Sequence, residues 1–173
     1  MAQLMAVTLG ENRVAINQEI DSEFFDDFKA ELDIESLVIG GEEFASMLSS
    51  PKVIKQYIEE IEESTELPYP LEVYIASIKL YSTKDTDFDT VREHVENYYQ
   101  SSMEKDVMVD PCEEFAKEKA LEWLEMFNTP HVSKDAFNTL INHFDFDAYQ
   151  TTLFTNDYDA VDTGESVHFF AKG

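Results

Sequence analysis

The sequence predicts an α+β fold in which several amphipathic helices pack on short strands, with N-terminal and C-terminal β-hairpins. Three observations favour this class. Segments with helical spacing of apolar residues follow capping residues, these segments outnumber the strand-like runs, and turn residues divide a pair of short runs near each end. The 173-residue chain is 43% hydrophobic, with 13 Phe and 8 Tyr, which is enough apolar material for a sizeable core.

The two hairpins are predicted from turn residues between short runs. Residues 5–9 and 13–17 lie on either side of Gly10-Glu11-Asn12. Residues 158–161 and 167–170 lie on either side of Thr163-Gly164. Glycine and asparagine suit such turns because they tolerate the positive φ angles that tight connections require.

Two helices in the first half of the chain are predicted from their N-caps. Asp21 or Ser22 caps the first, whose apolar stripe is Phe24, Phe25, Phe28 and Leu32. Ser50-Pro51 opens the second, which is expected to reach about residue 64, because proline is favoured in the first turn of a helix.

The middle of the chain is predicted to contain strands and a boundary. Residues 35–39 form a strand that ends at Gly40-Gly41, and residues 71–80 form a continuous apolar run typical of a central strand. Pro68 and Pro70 bracket a loop between them. We place a boundary there, giving α+β subdomains of residues 1–67 and 68–173, with one continuous domain as the alternative.

The second half of the chain is predicted to contain three further helices. The first covers residues 87–100, with Tyr98 and Tyr99 facing inward. Asp110-Pro111 caps the second, which is expected to reach Phe127 and to bury Cys112, Phe115, Ala116, Ala120, Trp123, Leu124 and Phe127. Ser133 caps the third, whose expected inward side chains are Phe137, Leu140, Ile141 and Phe144.

Acidic residues dominate the charge balance, with 37 Asp and Glu against 12 Lys and Arg and a formal net charge of −25. So many like charges repel one another and destabilise a compact protein, which indicates that the negative electrostatic field has a function. Nucleic acid and anionic membranes are excluded as partners because the same sign of charge repels them. A basic protein surface is the expected partner, and acidity that serves only solubility is the alternative.

Compartment and targeting signals favour the cytoplasm. Cys112 is the only cysteine, so no intramolecular disulfide can form. The sequence has neither the apolar stretch of a signal peptide nor a run long enough to span a membrane. We therefore expect an intracellular, reducing environment.

One segment matches part of a calcium-binding loop. Relative to an EF-hand, carboxylates occupy positions one, three, five and twelve. Thr90 replaces the glycine needed at position six, and Arg92 replaces the usual apolar residue at position eight. We favour a capped helix that starts at Asp87, and no cofactor or other metal is expected. The candidate calcium ligands are Asp85, Asp87, Asp89 and Glu96.

Catalytic patterns are weak. Cys112 lies near a helix N-terminus, where the helix dipole lowers a thiol pKa, and four histidines could pair with it. Cys112 nevertheless shares the apolar stripe of its helix, so a core thiol is favoured. The sequence has no nucleophile elbow, phosphate-binding loop, dinucleotide fingerprint or zinc motif. We do not expect an enzyme.

The acidic helix faces are the remaining functional candidates. Residues four apart on a helix lie about 6 Å apart along its axis, whereas each DNA strand carries a charge every ~3.4 Å. One row is too sparse to imitate duplex DNA, but two or three neighbouring rows approximate it. The candidate partner-binding residues are Glu59, Glu62, Glu63, Glu66, Glu114, Glu118, Glu122, Glu125, Asp145, Asp147, Asp157 and Asp159.

The chain from Glu113 onward resembles the ArdA family of antirestriction proteins, acidic DNA mimics encoded by phages and mobile elements. The resemblance rests on Trp123-Leu124-Glu125, Leu140-Ile141-Asn142 and the segment from Asp145 to Tyr149. Separately, residues 73–81 resemble the strand with which family members begin. The resemblance implies inhibition of type I restriction enzymes through their DNA-binding groove, usually as a homodimer, in the cytoplasm of a host cell.

Two hypotheses from different classes follow. The first is a DNA-mimicking inhibitor of a defence nuclease, with a type I restriction enzyme as the expected target and a CRISPR nuclease as the alternative. The second is an acidic adaptor that binds a partner through an apolar patch, anchored by aromatic residues such as Tyr98, Tyr99 or Tyr158.

Overall fold

The computed structural model describes residues 2–9, 12–14, 18–44, 46–63, 67–81, 83–106 and 108–173. The chain forms helices and small antiparallel sheets, which confirms the predicted α+β class. It divides into two compact units, Met1–Asn97 and Tyr98–Gly173. The boundary predicted between residues 67 and 68 therefore falls inside the first unit.

The first unit is built on one antiparallel sheet. β1 pairs with β2, β3 and β4, and β4 pairs with β5. The pairing of β1 with β2 confirms the N-terminal hairpin, although the predicted turn residues 10 and 11 lie outside the described part of the chain. The strands are β1 (Ala2–Leu9), β2 (Asn12–Val14), β3 (Gln18–Ile20), β4 (Asp33–Ile39) and β5 (Glu42–Glu43).

Three α-helices complete this unit. They are α1 (Pro51–Ile58), which continues into a π-helical turn over Glu59–Glu63, α2 (Leu71–Tyr81) and α3 (Phe88–Tyr98). Pro51 occupies the first turn of α1, as predicted, although the Ser50 side chain makes no capping hydrogen bond. α3 starts where the sequence placed it but ends before Tyr99, because the chain leaves the helix there to enter a strand.

The helix predicted after Asp21 is a single 3₁₀ turn, Ser22–Phe25. The Asp21 side chain caps it as expected, accepting a hydrogen bond from the backbone N–H of Phe24 at 3.1 Å. The turn cannot extend to Leu32 because the chain is drawn into β4, and the Leu32 N–H bonds to the Ser49 carbonyl at 2.8 Å. The local apolar spacing was therefore overridden by sheet pairing.

The central strand predicted over residues 71–80 is wrong, since these residues form α2. A short apolar run fits either a buried strand or a buried helix, and periodicity alone does not distinguish them. α2 buries Val73, Tyr74, Ala76 and Ile78, so its apolar residues surround most of the helix instead of lining one stripe. The run is also longer than a typical strand, which is the signal that favours a helix.

Aromatic side chains from several elements form the core of the first unit. The ring of Tyr57 on α1 meets Phe44 at 5.6 Å and Phe88 at 5.0 Å between centroids, both edge-to-face. Tyr74 on α2 stacks on Phe88 at 5.4 Å. All four residues are fully buried, so this cluster fixes α1, α2 and α3 against one another.

A tight turn connects β4 to β5 and depends on glycine. Gly40 and Gly41 have φ angles of +62° and +93°, as a two-residue hairpin turn requires. A Cβ added to Gly40 would lie 2.7 Å from Ile61 Cγ2 and 2.9 Å from Leu71 Cδ2, whereas one added to Gly41 would meet nothing within 4 Å.

We expect Gly40→Ala to lower the free energy of unfolding by about 2–3 kcal/mol and Gly41→Ala by only about 1 kcal/mol. Both variants strain the backbone, but only the first also crowds the half-buried side chains of Ile61 and Leu71. Urea unfolding of the two variants beside the parent measures the difference. Equal losses would show that Ile61 and Leu71 move aside without cost.

The second unit packs helices on a three-stranded antiparallel sheet of order β6-β8-β7. The pairing of β7 with β8 confirms the predicted C-terminal hairpin. β6 was not predicted, because its first two residues were assigned to the preceding helix. The elements are β6 (Tyr99–Glu104), α4 (Pro111–Glu125), α5 (Lys134–Asn142), α6 (Phe146–Asn156), β7 (Tyr158–Asp162) and β8 (Ser166–Ala171).

The core of this unit lies between α4, α6 and β8. Phe115 stacks on Phe169 with centroids 4.0 Å apart and rings tilted by only 5°. Ala116, Leu153 and Val167 complete the buried cluster, and Cys112 packs against its edge.

The predicted interior of the helical region is only partly correct. Phe115, Ala116, Ala120 and Leu124 are buried, but Trp123 and Phe127 are exposed. α5 has the predicted cap, since Ser133 Oγ accepts a hydrogen bond from the Ala136 N–H at 3.2 Å, yet none of its residues is buried. The spacing of apolar residues correctly predicted the helix, but its apolar face is only partly covered, since Phe137, Ile141 and Phe144 are half-buried and Leu140 is exposed.

Candidate partner-binding surface

α4 presents a regular row of carboxylates. Its start is fixed by Asp110, whose side chain accepts a hydrogen bond from the Cys112 N–H at 2.9 Å, and by Pro111 in the first turn. The buried stripe of α4 faces the core, so the opposite side faces solvent. That side holds the α4 carboxylate row, defined as Glu114, Glu118, Glu122 and Glu125, all of which are exposed.

Helix geometry places the α4 carboxylate row on one face. At 3.6 residues per turn, the four positions fall within an arc of about 80°, and they span about 17 Å of the helix axis. Glu122 accepts a hydrogen bond from Lys119 Nζ at 3.0 Å, and this bond raises the pKa of Lys119. Glu114, Glu118 and Glu125 form no ion pair within the described part of the chain. The row therefore keeps most of its negative charge.

The remaining acidic candidates of this unit lie around α6. Asp145 accepts a hydrogen bond from the Ala148 N–H at 2.9 Å, which makes it the N-cap of α6. Asp147 and Asp157 are exposed at the two ends of α6. Asp159 is half-buried and lies 3.4 Å from Lys172 Nζ. Asp145 and Asp159 thus have local structural roles in addition to any role at a surface.

The structure brings part of the α4 row close to α6. Glu122 and Asp157 line one open cleft of about 520 Å³ between α4, α6 and β7. Burial raises the pKa of Tyr149 in this cleft, and the nearby charges of Asp157 and Glu122 raise it further. Lys119 and Lys172 also line the cleft and moderate its negative potential.

The described acidic candidates of the first unit lie close to cationic or backbone N–H groups of the same unit. Glu59 is half-buried and lies 3.9 Å from Lys55 Nζ. Glu62 is half-buried and accepts a hydrogen bond from the Gly40 N–H at 3.2 Å. The side chain of Glu63 and all of Glu66 lie outside the described part of the chain. The α1 side therefore offers less open carboxylate surface than its sequence predicted.

The candidate calcium ligands serve other purposes. Asp85 binds the start of α1, accepting hydrogen bonds from the Ser49 N–H at 2.5 Å and the Ser50 N–H at 2.7 Å. Asp87 accepts hydrogen bonds from the Thr90 N–H at 2.9 Å and hydroxyl at 2.8 Å, and these lower its pKa. This geometry confirms the capped helix start.

The other two candidate ligands lie on α3. Asp89 lies 3.3 Å from Arg92, and Glu96 is exposed on α3. Among the described residues, no group of three or more His, Cys, Asp or Glu side chains is arranged to hold a metal ion. The four carboxylates are therefore not brought together in this structure.

The candidate nucleophile lies in a setting that suppresses its reactivity. Burial raises the pKa of Cys112, and the charges of Asp110 and Asp162 raise it further. A raised pKa lowers the thiolate fraction at neutral pH, and the thiolate is the reactive form. His168 in the same unit is buried and bonds to Thr163 Oγ1 at 3.1 Å. Cys112 packs against the core as predicted, but it is half-buried at the edge and not fully buried.

An exposed apolar surface was missed by the sequence analysis. It lies at the C-terminal end of α4, in the segment between α4 and α5, and on α5 itself. We define the α4–α5 surface as Trp123, Met126, Phe127, Val132 and Leu140. By contrast, the aromatic anchors proposed from the sequence, Tyr98, Tyr99 and Tyr158, are half-buried.

No helix among the described residues combines the length and the apolar character needed to cross a membrane. No protein-family model, no curated protein and no solved structure matches the chain. The resemblance to the ArdA family therefore stays a prediction. Its C-terminal residues lie at the ends of α4 and α5 and in the first turn of α6, whereas Val73–Tyr81 is helical, so the strand expected there is absent.

Proposed function

We propose that this protein is a DNA-mimicking inhibitor that occupies the basic DNA-binding groove of a defence nuclease in the cytoplasm of a host cell. The observation that carries the proposal is the α4 carboxylate row, a regular exposed face on a chain with a net charge of −25. A type I restriction enzyme is the proposed target, and a CRISPR nuclease is the alternative because its DNA-binding channel is also basic.

Charge spacing supports the proposal. Consecutive carboxylates of the row are about 4.5–6 Å apart along the axis, which is wider than the ~3.4 Å axial spacing of charges on a DNA strand. Asp157 lines the same cleft as Glu122 and adds a second source of charge beside the row. The combined surface is closer to the charge density of a duplex than α4 alone.

The type of contact also supports the proposal. A nuclease groove presents Lys and Arg side chains to phosphates, and carboxylates on a fixed helix satisfy the same donors. The carboxylates of the row are already ordered on the folded helix, so binding costs little backbone entropy. The buried stripe of α4, which includes Phe115, holds the row in place.

We expect binding to the target to weaken at least about tenfold between low and moderately high salt, because exposed charge pairs are screened within about 10 Å at 0.1 M ionic strength. The measurement is displacement of fluorescently labelled duplex DNA from purified type I restriction enzyme, and in parallel from a CRISPR nuclease, over a range of sodium chloride concentrations. Bovine serum albumin, added in place of this protein, is the control. It distinguishes specific displacement from general effects of an added acidic protein.

Two results would contradict this function. The first is simultaneous binding of duplex DNA and this protein to the nuclease, since a mimic competes for the groove. The second is an affinity for the nuclease that stays constant as salt rises, since contacts through exposed carboxylates depend on ionic strength.

A further inference from the structure

The α4–α5 surface contains most of the strongly exposed large apolar side chains that the described residues offer. Trp123 is 44% exposed, Met126 66% and Leu140 43%, and Phe127 and Val132 are exposed to similar degrees. A few exposed apolar residues are normal on any protein, but a group on adjacent elements marks an interaction site. These residues fall within a stretch of fewer than about 20 positions, so they are local to one end of the second unit.

Ring contacts connect α4 to the end of α5. Trp123 meets Phe127 edge-to-face at 5.0 Å and Phe144 at 6.1 Å between centroids. Phe144 lies two residues beyond the end of α5, in the short segment before α6, whereas Leu140 lies in the last turn of α5. Trp123 and Phe144 thus connect the end of α4 to the segment that follows α5, and Leu140 is exposed on the last turn of α5.

α5 itself has the apolar spacing of a helix that packs on a core. Its Phe137, Leu140 and Ile141 recur at helical spacing, and its N-terminus is capped by Ser133. No residue of α5 is buried. Beside it, a groove of about 590 Å³ is lined by Pro130, Val132 and Phe137 among others. A capped amphipathic helix with an open groove fits the way in which proteins receive a partner helix.

The charges around this surface determine the kind of partner. A second copy of the chain would bring two like-charged surfaces together, each on a protein of charge −25. A segment that carries both apolar and basic side chains would instead bury apolar area on the exposed side chains and pair its charges with the surrounding carboxylates. Between residues 122 and 147 the only Lys or Arg is Lys134, and the carboxylates are Glu122, Glu125, Asp135, Asp145 and Asp147.

From these observations we infer that the α4–α5 surface docks an amphipathic helix rich in Lys or Arg from a partner protein. The apolar side of that helix packs on Trp123, Met126 and Leu140, and its basic side chains reach the surrounding carboxylates. The inference goes beyond the proposed function, because it holds for any partner that offers such a helix and does not require the partner to bind DNA.

The test uses a synthetic helical peptide of about 18 residues, with Leu at helical spacing and Lys elsewhere. Trp123 is the only tryptophan in the chain, so its fluorescence reports directly on this surface. We expect the peptide to shift Trp123 emission to shorter wavelength as the indole leaves water. We also expect a scrambled peptide of the same composition, which has no apolar face, to bind at least about tenfold more weakly.

Matched variants locate the binding site. The variant Met126→Gln with Leu140→Gln is expected to weaken peptide binding at least about tenfold, because two apolar contacts are lost. Met108→Gln is the control, since Met108 is 87% exposed but lies outside the α4–α5 surface. Its affinity should equal that of the parent. If the double variant loses its cooperative unfolding transition, Met126→Gln alone gives the answer, because a side chain exposed to this degree contributes little to folding.

Three results would overturn the inference. Equal affinity for the ordered and scrambled peptides would show only unspecific attraction between charges. Equal affinity of the double variant and the parent would place binding elsewhere. Sedimentation of the free protein as a dimer, with Trp123 emission that shifts as protein concentration rises, would show that a second copy covers the surface. Each result is independent of whether the protein inhibits a nuclease.

Discussion

Replacing the α4 carboxylate row by glutamine at all positions is expected to weaken inhibition of the target nuclease at least about tenfold. One exposed ion pair contributes only ~0.2–1 kcal/mol, so a single substitution should have little effect. Four such losses on one face sum to about 0.8–4 kcal/mol, and the middle of that range exceeds the ~1.4 kcal/mol that corresponds to a factor of ten. The measurement is the concentration of protein that displaces half of the labelled duplex DNA from the nuclease.

The fold should survive this change. Glu114 and Glu118, and Glu118 and Glu122, are like-charge pairs four residues apart, and such pairs destabilise a helix. Their removal relieves repulsion, while the hydrogen bond from Lys119 to Glu122 is exposed and contributes little. The midpoint of thermal unfolding should therefore equal or exceed that of the parent.

A control variant separates position from net charge. Glutamine at Glu23, Glu31, Glu93 and Glu96 removes the same formal charge from exposed positions of the first unit. We expect this control to inhibit almost as well as the parent. A row variant that is stable and fully inhibitory would show that the α4 face is ordinary solvated surface. Equal losses in both variants would show that inhibition depends on total charge alone.

Capping residues gave the most accurate predictions from the sequence. Asp21, Asp110 and Ser133 each accept the backbone hydrogen bond expected of an N-cap. Both hairpins also form where turn residues separate short runs. These features are local, since a cap or a turn depends on a few neighbouring residues and little on the rest of the fold.

The errors arise where the outcome depends on distant parts of the chain. The run from Leu71 to Tyr81 is apolar enough for a strand or a buried helix, and its composition does not show the packing partners, such as Phe88, that surround it as a helix. The apolar stripe of α5 predicted burial, but the described structure covers it only in part, since Phe137, Ile141 and Phe144 are half-buried and Leu140 is exposed. Periodicity shows which face of a helix is apolar and not what lies against that face.

The candidate site was only partly predicted, again because some of its features depend on distant parts of the chain. Opposed apolar and acidic faces on α4 follow from the sequence, and all residues of the α4 carboxylate row are exposed as expected. The proximity of Asp157 to Glu122 depends on how α6 and β7 pack, and no spacing within the sequence indicates it. The role of Asp85 was missed because its partners, Ser49 and Ser50, lie more than 30 residues away.

Asp85→Ala is expected to lower the free energy of unfolding by on the order of 3–5 kcal/mol, the largest stability effect among these predictions. Asp85 accepts hydrogen bonds from the Ser49 N–H, the Ser49 hydroxyl at 2.5 Å and the Ser50 N–H, and these groups lie just before α1. Ser49 is buried, so its donors would lose their partner without gaining water. Asp85 also has a φ of +60°, a conformation that alanine adopts less readily than aspartate.

Two further variants of this region isolate the role of Asp85. Asp85→Asn keeps a carbonyl oxygen and tolerates positive φ, so it should lose less stability than Asp85→Ala. Asp89→Ala is the control, because the Asp89 carboxylate is exposed and its partners among the described residues are Arg92 and Gln56. It should change the free energy of unfolding by about 0.5 kcal/mol or less. Equal losses in Asp85→Ala and Asp89→Ala would contradict the structural role of Asp85.

The pH dependence of stability gives an independent check on Asp85. Burial raises the pKa of its carboxyl group, but the hydrogen bonds from Ser49 and Ser50 together outweigh that effect and lower the pKa below its usual range. A carboxylate whose pKa is lower in the folded state stabilises the fold fully above the unfolded pKa of about 3.9, and this stabilisation is lost as pH falls through the folded pKa. The free energy of unfolding should therefore fall more steeply below about pH 4 in the parent than in Asp85→Asn, which has no group to titrate at this position.

Urea unfolding of both proteins from neutral pH down to about pH 3 measures the two slopes, and their comparison cancels the changing repulsion among the other carboxylates. Parallel curves would show that the charge of Asp85 does not hold the start of α1.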